Sequence, residues 1–396
     1  MMITRRGVVS GGVASGLMVL ATGGCNLTRA RASDPPPPDT PTGDPLGEIP
    51  GYGPLIRSFG DTAQPMPRDE PLTRAVYDRA ASRQRLDLLA ISGGGDDGAY
   101  GAGFLNGWSK LGTRPEFDAV TGISTGALIA PMAFLGSAYD GYLRDFYTRT
   151  EAEDIYRLKI ASLLTGGIAA ADPGPLARRI EQVISPELVA RIAEERRKGR
   201  LLLIGTTNLD AQRLVIWDIG RIAASGRPDR VALIRRVILA SAAIPGVFPP
   251  VTFDAVRNGT GFKEIHVDGG VTRGVFAYPG NLDVPPRAGA RNMWVIRNAK
   301  LGPEWEATSP TAIGIARRSL STVLKAQSRG DIAEIQAVAQ AGDFDLHLTA
   351  VPPNYPLRYE RPFEPRYMRT LFATGEAAGL SGRAWGTMAE LTGVGE

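Results

Sequence analysis

Two short stretches carry the residue types that acyl chemistry needs: Gly122-Ile123-Ser124-Thr125-Gly126 and Asp268-Gly269-Gly270. G-x-S-x-G is the spacing of a nucleophile elbow, where the chain reverses so tightly that Gly122 and Gly126 are needed beside the serine. The apolar run Phe117 to Val120 reads as a buried strand before it, and Ala127 to Ala130 as the start of a helix after it. Such a helix aims its positive dipole end at the serine. A serine nucleophile needs a proton acceptor, and the chain has only two histidines, His266 and His347. One arrangement is Ser124, an acid (Asp210 or Asp268) and His347, the chain order of an α/β-hydrolase triad. Yet Phe344 to Leu348 alternates, putting His347 opposite Leu346 and Leu348, as in a surface strand. The other arrangement uses Asp268 directly, with His266 two residues away on the same strand face as a tuning group. Taken alone, Asp268-Gly269-Gly270 reads first as an Asx turn.

A third stretch bears on the same chemistry. Leu86 to Ser92 reads as a buried strand, Gly93-Gly94-Gly95-Asp96-Asp97-Gly98 as a loop, and Ala99 to Lys110 as a helix opening with small residues. Gly93, Gly95 and Gly98 spell G-x-G-x-x-G, but Asp96 and Asp97 would repel a pyrophosphate there. Glu116 and Asp118 fall at the start of the next strand, not at its ribose-facing end, and no Gly-Lys-Ser/Thr makes a P-loop. The loop reads instead as an oxyanion hole built from the amides of Gly93, Gly94 and Gly95. If its strand and the Ser124 strand are parallel neighbours, both carboxyl ends reach one sheet edge, where ligands bind in open α/β folds.

Composition narrows the remaining classes. The 396 residues carry 45 basic and 41 acidic side chains, a net charge of +4 without a dense basic block. Arg196-Arg197-Lys198 reads as a solvated helix face, so nucleic acid is not an expected partner. One cysteine and two histidines cannot build a disulfide framework or a Cys/His zinc site, and neither metal nor cofactor is expected. Downstream, Leu201 to Asn208 reads as a strand, Leu214 to Trp217 as its hairpin partner, and Val237 to Pro250 as a small-residue helix stopped by Pro245. Met293 to Arg297 and Leu346 to Val351 read as strands, and Thr311 to Gln340 and Thr370 to Leu391 as helices. Ile160 to Ala171 reads either as a core helix with a glycine break or as a lid.

Residues 1–25 look like a signal peptide: Arg5-Arg6, an apolar stretch from Gly7 to Ala21, and small residues before Cys25. Thr4 to Val9 resembles a twin-arginine signal, and Cys25 a lipobox cysteine that would anchor the protein to a membrane, with Thr22 departing from that pattern. The expected location is the cell envelope of a bacterium, periplasmic or lipid-anchored. Residues 26–80 form a Pro/Gly-rich tether with an arm (Ile49 to Phe59) able to dock on the domain. Residues 81–396 form the catalytic domain, its motifs in 86–300 and a helical part in 301–396.

The order Gly93-Gly94-Gly95-x-x-Gly98, Gly122-x-Ser124-x-Gly126, Ala240-Ser241-x-Ala243-x-Pro245-x-x-Phe248-Pro249-Pro250 and Asp268-Gly269-Gly270 resembles the patatin-like phospholipases. Thr207-Asn208-Leu209-Asp210 and Asp172-Pro173-Gly174-Pro175-Leu176 are also similar to that family. The resemblance covers about residues 86–300. It implies an α/β class fold of three α/β/α layers around a mostly parallel sheet, and lipid acyl hydrolase activity through a Ser–Asp dyad. Ser124 would then be nucleophile, Asp268 general base, and Gly93, Gly94 and Gly95 the oxyanion hole, with Gly98, Gly122, Gly126, Gly269 and Gly270 supporting the turns. Substrates would be membrane lipids or other acyl esters. One departure is Asp97, where many members carry arginine; with Asp96 it would disfavour anionic head groups. A second class is an envelope binding or scaffold protein on the same fold, without catalysis.

Overall fold

The computed structural model describes residues 46–61, 67–158, 171–277, 289–356 and 362–393. Residues 1–25, read above as a signal peptide ending at Cys25, the Pro35–Pro38 run and residues 160–170 lie outside the described residues.

Nine strands make one sheet: β1 Arg57–Phe59, β2 Arg85–Ile91, β3 Ala119–Ile123, β4 Leu201–Asn208, β5 Arg213–Asp218, β6 Val251–Arg257, β7 Thr260–Asp268, β8 Ala290–Arg297 and β9 Asp345–Ala350. Their order is β1-β5-β4-β3-β2-β8-β9, and β4, β3, β2, β8 and β9 are mutually parallel. β5 pairs antiparallel with β4, as the hairpin reading requires, and β1 antiparallel with β5. β6 and β7 form a hairpin, and the end of β7 joins β4. The expectation of a mostly parallel sheet between helical layers is met.

The central strands are buried on both faces, which is why they read as unbroken apolar runs rather than alternating ones. Leu89, Ile91, Val120, Leu202, Ile204 and Trp217 belong to the core under one helical layer. That layer holds α2 Gly98–Leu111, α3 Thr125–Leu135, α4 Asp140–Arg149, α5 Gly174–Val183, α6 Pro186–Arg197, α7 Ile219–Ala224, α8 Arg230–Ser241 and α10 Pro365–Ser381. Leu88, Ala90, Ile123, Leu203, Met293 and Val295 face the other way, where they meet Val76 of α1 (Pro71–Ser82) and Ile332, Ile335 and Ala339 of α9 (Ala312–Ala341). The small residues of α2 do what their spacing implies: backbone of α10 lies close enough that a side chain at Gly103 or Gly107 would strike it.

Three boundaries differ from the sequence reading. α8 stops at Ser241, four residues before Pro245, and Ala242 to Pro250 is irregular, bending back through turns at Ile244 and Val247. The helical stretch after Thr370 breaks at Gly382, left-handed with φ 67°, which caps α10. Part of residues 26–80 belongs to the folded body. Glu70 caps α1 by accepting the Leu72 and Thr73 N–H groups, and β1 lies in the sheet with Arg57 opposite Trp217.

That arm is fixed by a buried ion pair. Arg57 meets Glu264 at 2.6 Å, Glu264 also accepts the Gly47 N–H, and its other oxygen lies 3.1 Å from His266 Nε2. The Arg57 guanidinium and the His266 bond hold the Glu264 carboxyl down at about 2 despite its burial. Removing one partner of such a pair strands the other charge in the core. Arg57→Ala is therefore expected to lower the unfolding free energy by about 3–5 kcal/mol, read by urea denaturation. A loss below about 1 kcal/mol would show that the arm contributes little to stability.

Candidate active site

β3 ends at Ile123 and α3 starts at Thr125, so the whole reversal falls on Ser124, at φ 56° and ψ −124°. A side-chain-bearing residue held at such a φ costs about 1–3 kcal/mol and persists only where its surroundings dictate it. Here they do. The Ser124 N–H donates to Ser241 Oγ at 3.0 Å, and the Ser241 hydroxyl donates to the Gly205 carbonyl at 2.7 Å. A Cβ on Gly122 would collide with the Gly126 carbonyl oxygen, and one on Gly126 with the Ile91 carbonyl oxygen. The bracketing glycines are thus required by close backbone approach.

Asp268 reaches the serine through strand register. β4 pairs with β3 as far as Ile123–Gly205, and on the same edge its next residue, Thr206, pairs with Asp268 of β7. β3 and β7 therefore meet end to end along one edge of β4. The Asp268 carboxylate accepts the Gly270 N–H at 2.7 Å, and the nearby Ser124 hydroxyl favours its charged form. Its backbone is fixed too: its N–H donates to the Ala243 carbonyl at 3.0 Å, and its carbonyl accepts from Thr207 Oγ1 at 2.9 Å. Both side chains are buried, Ser124 at 7% and Asp268 at 5% exposure. Desolvation pushes the Asp268 carboxyl up to about 6, against the opposing pull of its two hydrogen bonds.

The glycine loop crosses the same sheet edge from β2. Gly93 lies against the elbow: a Cβ there would sit 3.1 Å from Ser124 Cβ. Its N–H, however, donates to the Gly274 carbonyl at 3.0 Å, so one expected oxyanion donor is already occupied. The Gly94 and Gly95 N–H groups have no acceptor among the described residues. Gly95 sits at φ 61° in open space, and Gly94 packs so tightly on the Asn298 carbonyl that no side chain fits. Arg297 donates to Ser92 Oγ and the Gly93 carbonyl, both at 3.1 Å, and Asn298 Nδ2 to the Ser92 carbonyl at 2.8 Å.

Asp96 and Asp97 turn toward the C-terminal segment. Asp96 accepts the Phe363 N–H at 3.0 Å and Asp97 the Tyr367 hydroxyl at 2.5 Å. Burial raises both carboxyls, Asp97 to about 7 with Asp96 adding repulsion. Both carboxylates are thus engaged by the C-terminal segment.

Neither histidine reaches Ser124. His347 lies three strands from β3, roughly 14 Å at 4.8 Å per strand, stacked on Trp294 and bonded to Asn292 Oδ1 at 3.2 Å. His266 is fully buried between Thr206 Oγ1 at 2.9 Å and Glu264. Asp210 sits in the loop after β4, its N–H bonded to Asn208 Oδ1. Gly98 packs on Thr125 and Tyr147, and Gly269 on the Gly205 carbonyl.

Beside Ser124 and Gly95 lies a narrow cavity of about 30 Å³, walled by Leu128, Phe146, Leu176, Phe248, Phe363 and Met368. Leu176 is the residue of the Asp172–Leu176 motif that reaches it. A larger cavity of about 540 Å³ opens on the other sheet face beneath α1 and α9 and touches neither Ser124 nor Asp268. Sequence reasoning missed Ser241, Gly274, Arg297 and Asn298 as supports. Their only sequence signal was proximity to strand ends, plus the place of Ser241 in the Ala240–Pro250 string.

A strained serine and a buried carboxylate thus lie together at the carboxyl edge of the mostly parallel sheet of an α/β fold. Residues 89–279 match the family model described as patatin-like phospholipase. Residues 89–279 are thus a patatin-like phospholipase domain, and lipid esters are the substrate class that family implies. Among solved structures, the crystal structure of VipD from Legionella pneumophila is similar at 12% identity and a TM-score of 0.30, over 76% of this chain and 67% of that one. No curated protein matches the sequence.

Ser241→Ala leaves the Ser124 N–H and the Gly205 carbonyl buried without their partner. At about 1–3 kcal/mol for an unmet buried polar group, ester hydrolysis is expected to fall about tenfold to a hundredfold, with a lower melting temperature. Unchanged turnover would show that the elbow holds its shape without that hydroxyl.

Proposed function

We propose that this protein hydrolyses acyl esters of lipids as a phospholipase A or carboxylesterase, with Ser124 as nucleophile and Asp268 as general base. The observation that carries the proposal is the strand register that sets the buried Asp268 beside the buried Ser124, with desolvation pushing the Asp268 carboxyl up to about 6. A carboxylate at that value is ionised at neutral pH yet basic enough to take a proton. Ser124 Oγ attacks the ester carbonyl carbon and its proton passes to Asp268. The developing oxyanion is received by the N–H groups of Gly94 and Gly95, aided by the N-terminus of α3. Asp268 then returns the proton to the departing alcohol, and in the second half takes a proton from the water that cleaves the acyl-enzyme. The apolar cavity walls suit an aliphatic chain, but about 30 Å³ is close to the share of one water molecule. Leu128, Phe363 and Met368 must part to admit it. The export reading belongs to the same proposal and rests on Arg5-Arg6, the apolar stretch to Ala21 and Cys25. Mass spectrometry of the membrane fraction finding no acylated Cys25 would remove the anchor.

Hydrolysis of a short-chain chromogenic ester and of a phospholipid by Ser124→Ala and Asp268→Asn is expected to fall at least about 1,000-fold, while His347→Ala stays near wild type. Inactive wild-type protein on both esters would move the assignment to the scaffold reading.

The rate is expected to fall as pH drops through about 6, where Asp268 takes up its proton. Stability runs oppositely. A carboxyl whose folded value is raised binds its proton more tightly folded than unfolded, so its burial costs stability as pH rises from about 4 to 6. Asp268→Asn should therefore melt above wild type at pH 8 and lose that advantage at pH 4. Equal melting temperatures at pH 8 would contradict the buried-charge account.

A further inference from the structure

Helix α9 is longer than the sheet it packs on. Its 30 residues span about 45 Å, against about 26 Å for the eight residues of β8. β8 and β9 are parallel, so α9 starts at the carboxyl edge and returns to the amino edge. It crosses the carboxyl edge at Ser328 and Asp331. Asp331 accepts the Gly274 N–H at 2.7 Å, Ser328 packs on Gly274, and the Gly274 carbonyl holds Gly93. The residues of α9 that join the core are Ile332, Ile335 and Ala339, all after this crossing. The four turns before it project beyond the edge that carries Ser124.

This projecting part has two faces. At 100° per residue, Ile315, Ala316, Leu320 and Val323 fall on one arc, and Arg317, Arg318 and Lys325 on the other. The polar arc is tied to the protein: Arg317 and Arg318 bond Glu306, and Lys325 bonds Glu304 and the Gly302 carbonyl. The apolar arc is left to solvent, with Ile315 53%, Leu320 37% and Val323 59% exposed. Trp305, between the two tethering glutamates, is 92% exposed. Residues 302–329 carry four basic and two acidic side chains. Among the described residues no helix is long and apolar enough to cross a membrane.

We propose that the first half of α9, with Trp305, is a membrane-docking surface that lies in the interface of an anionic lipid bilayer and presents the Ser124 edge to it. An amphipathic helix with a basic polar face and an adjacent indole is what a bilayer interface retains, and the excess positive charge favours anionic lipid. The proposal rests on the lipid-hydrolase reading for its purpose but not for its geometry.

The test uses the full chain carrying Ser124→Ala, to prevent turnover, and Cys25→Ser, to remove the candidate acyl anchor. Co-sedimentation with equimolar phosphatidylglycerol–phosphatidylcholine vesicles is measured with and without Ile315→Glu and Val323→Glu. The glutamate variants should partition about tenfold or more weakly, while Val323→Leu matches the parent. Since Cys25 is the chain's single cysteine, Val323→Cys in the same background takes one environment-sensitive dye, whose emission should shift to the blue on vesicles. That readout stands even if a glutamate variant unfolds. Equal partitioning of folded glutamate variants, or a dye that does not respond, overturns the proposal. A parent that sediments as a dimer and becomes monomeric with Val323→Glu overturns it in favour of a contact between copies. Because Ser124 is absent throughout, vesicle binding by a protein whose wild type hydrolyses no ester would sink the catalytic reading and leave this one standing.

Discussion

Everything at the candidate site depends on two strands sharing one edge of β4. β3 occupies that edge as far as Gly205, and β7 takes it over at Thr206 from the opposite direction. Two chain ends that are 145 positions apart in sequence (Ile123 and Asp268) thereby become neighbours on one ladder. Backbone hydrogen bonds then set the spacing of the serine and the carboxylate, and these tolerate little drift. A side chain alone, reaching across a loop, would need its own ordering free energy and would position the carboxylate less well.

That placement has an electrostatic consequence. Asp268 sits where water is excluded, and desolvation outweighs the two hydrogen bonds that would stabilise its charge. In a triad, a histidine takes the proton and the acid keeps its charge. Under the proposed dyad the acid takes the proton itself, and a carboxylate near its solution value would be a poor base. Burial supplies the missing basicity and takes it from the stability of the fold, as functional sites commonly do. His266, near enough in sequence to be a rival, is instead held by Thr206 and Glu264, with burial keeping it neutral.

The strands, the elbow and the glycine loop were legible because each is a local pattern: unbroken apolar runs, small residues at tight reversals, and polar groups at strand ends. Ser124 stood out from its G-x-S-x-G setting, whereas Asp268-Gly269-Gly270, taken alone, read first as an Asx turn. The supports could not be named. Ser241 is a serine at a helix end like many others, and only the fold reveals that its hydroxyl bridges the Ser124 N–H and the Gly205 carbonyl. The occupied Gly93 amide was equally invisible, because its acceptor, Gly274, lies 181 positions away. Asp96 and Asp97 looked like surface charges near a ligand, and their partners on Phe363 and Tyr367 are likewise remote. The arm Ile49 to Phe59 was legible as a segment able to dock, but not that its last three residues add a strand to the sheet.

The tethers of the glycine loop all arrive from the chain after Asp268. Gly274 takes the Gly93 N–H, Arg297 takes the Gly93 carbonyl, Asn298 takes the Ser92 carbonyl, and Asp331 fixes Gly274 in turn. The segment that begins with Asp268-Gly269-Gly270 therefore has two duties. It brings the carboxylate to the serine, and six residues later it sets the height of the loop that faces the same serine. A shift of this segment would move base and oxyanion donors together, keeping their mutual geometry while changing both relative to the elbow. The elbow, for its part, hangs on Ser241 from the other helical layer. In the proposed roles, nucleophile and oxyanion donors are mounted on separate supports, which meet at the sheet edge where the Asp268 N–H donates to the Ala243 carbonyl.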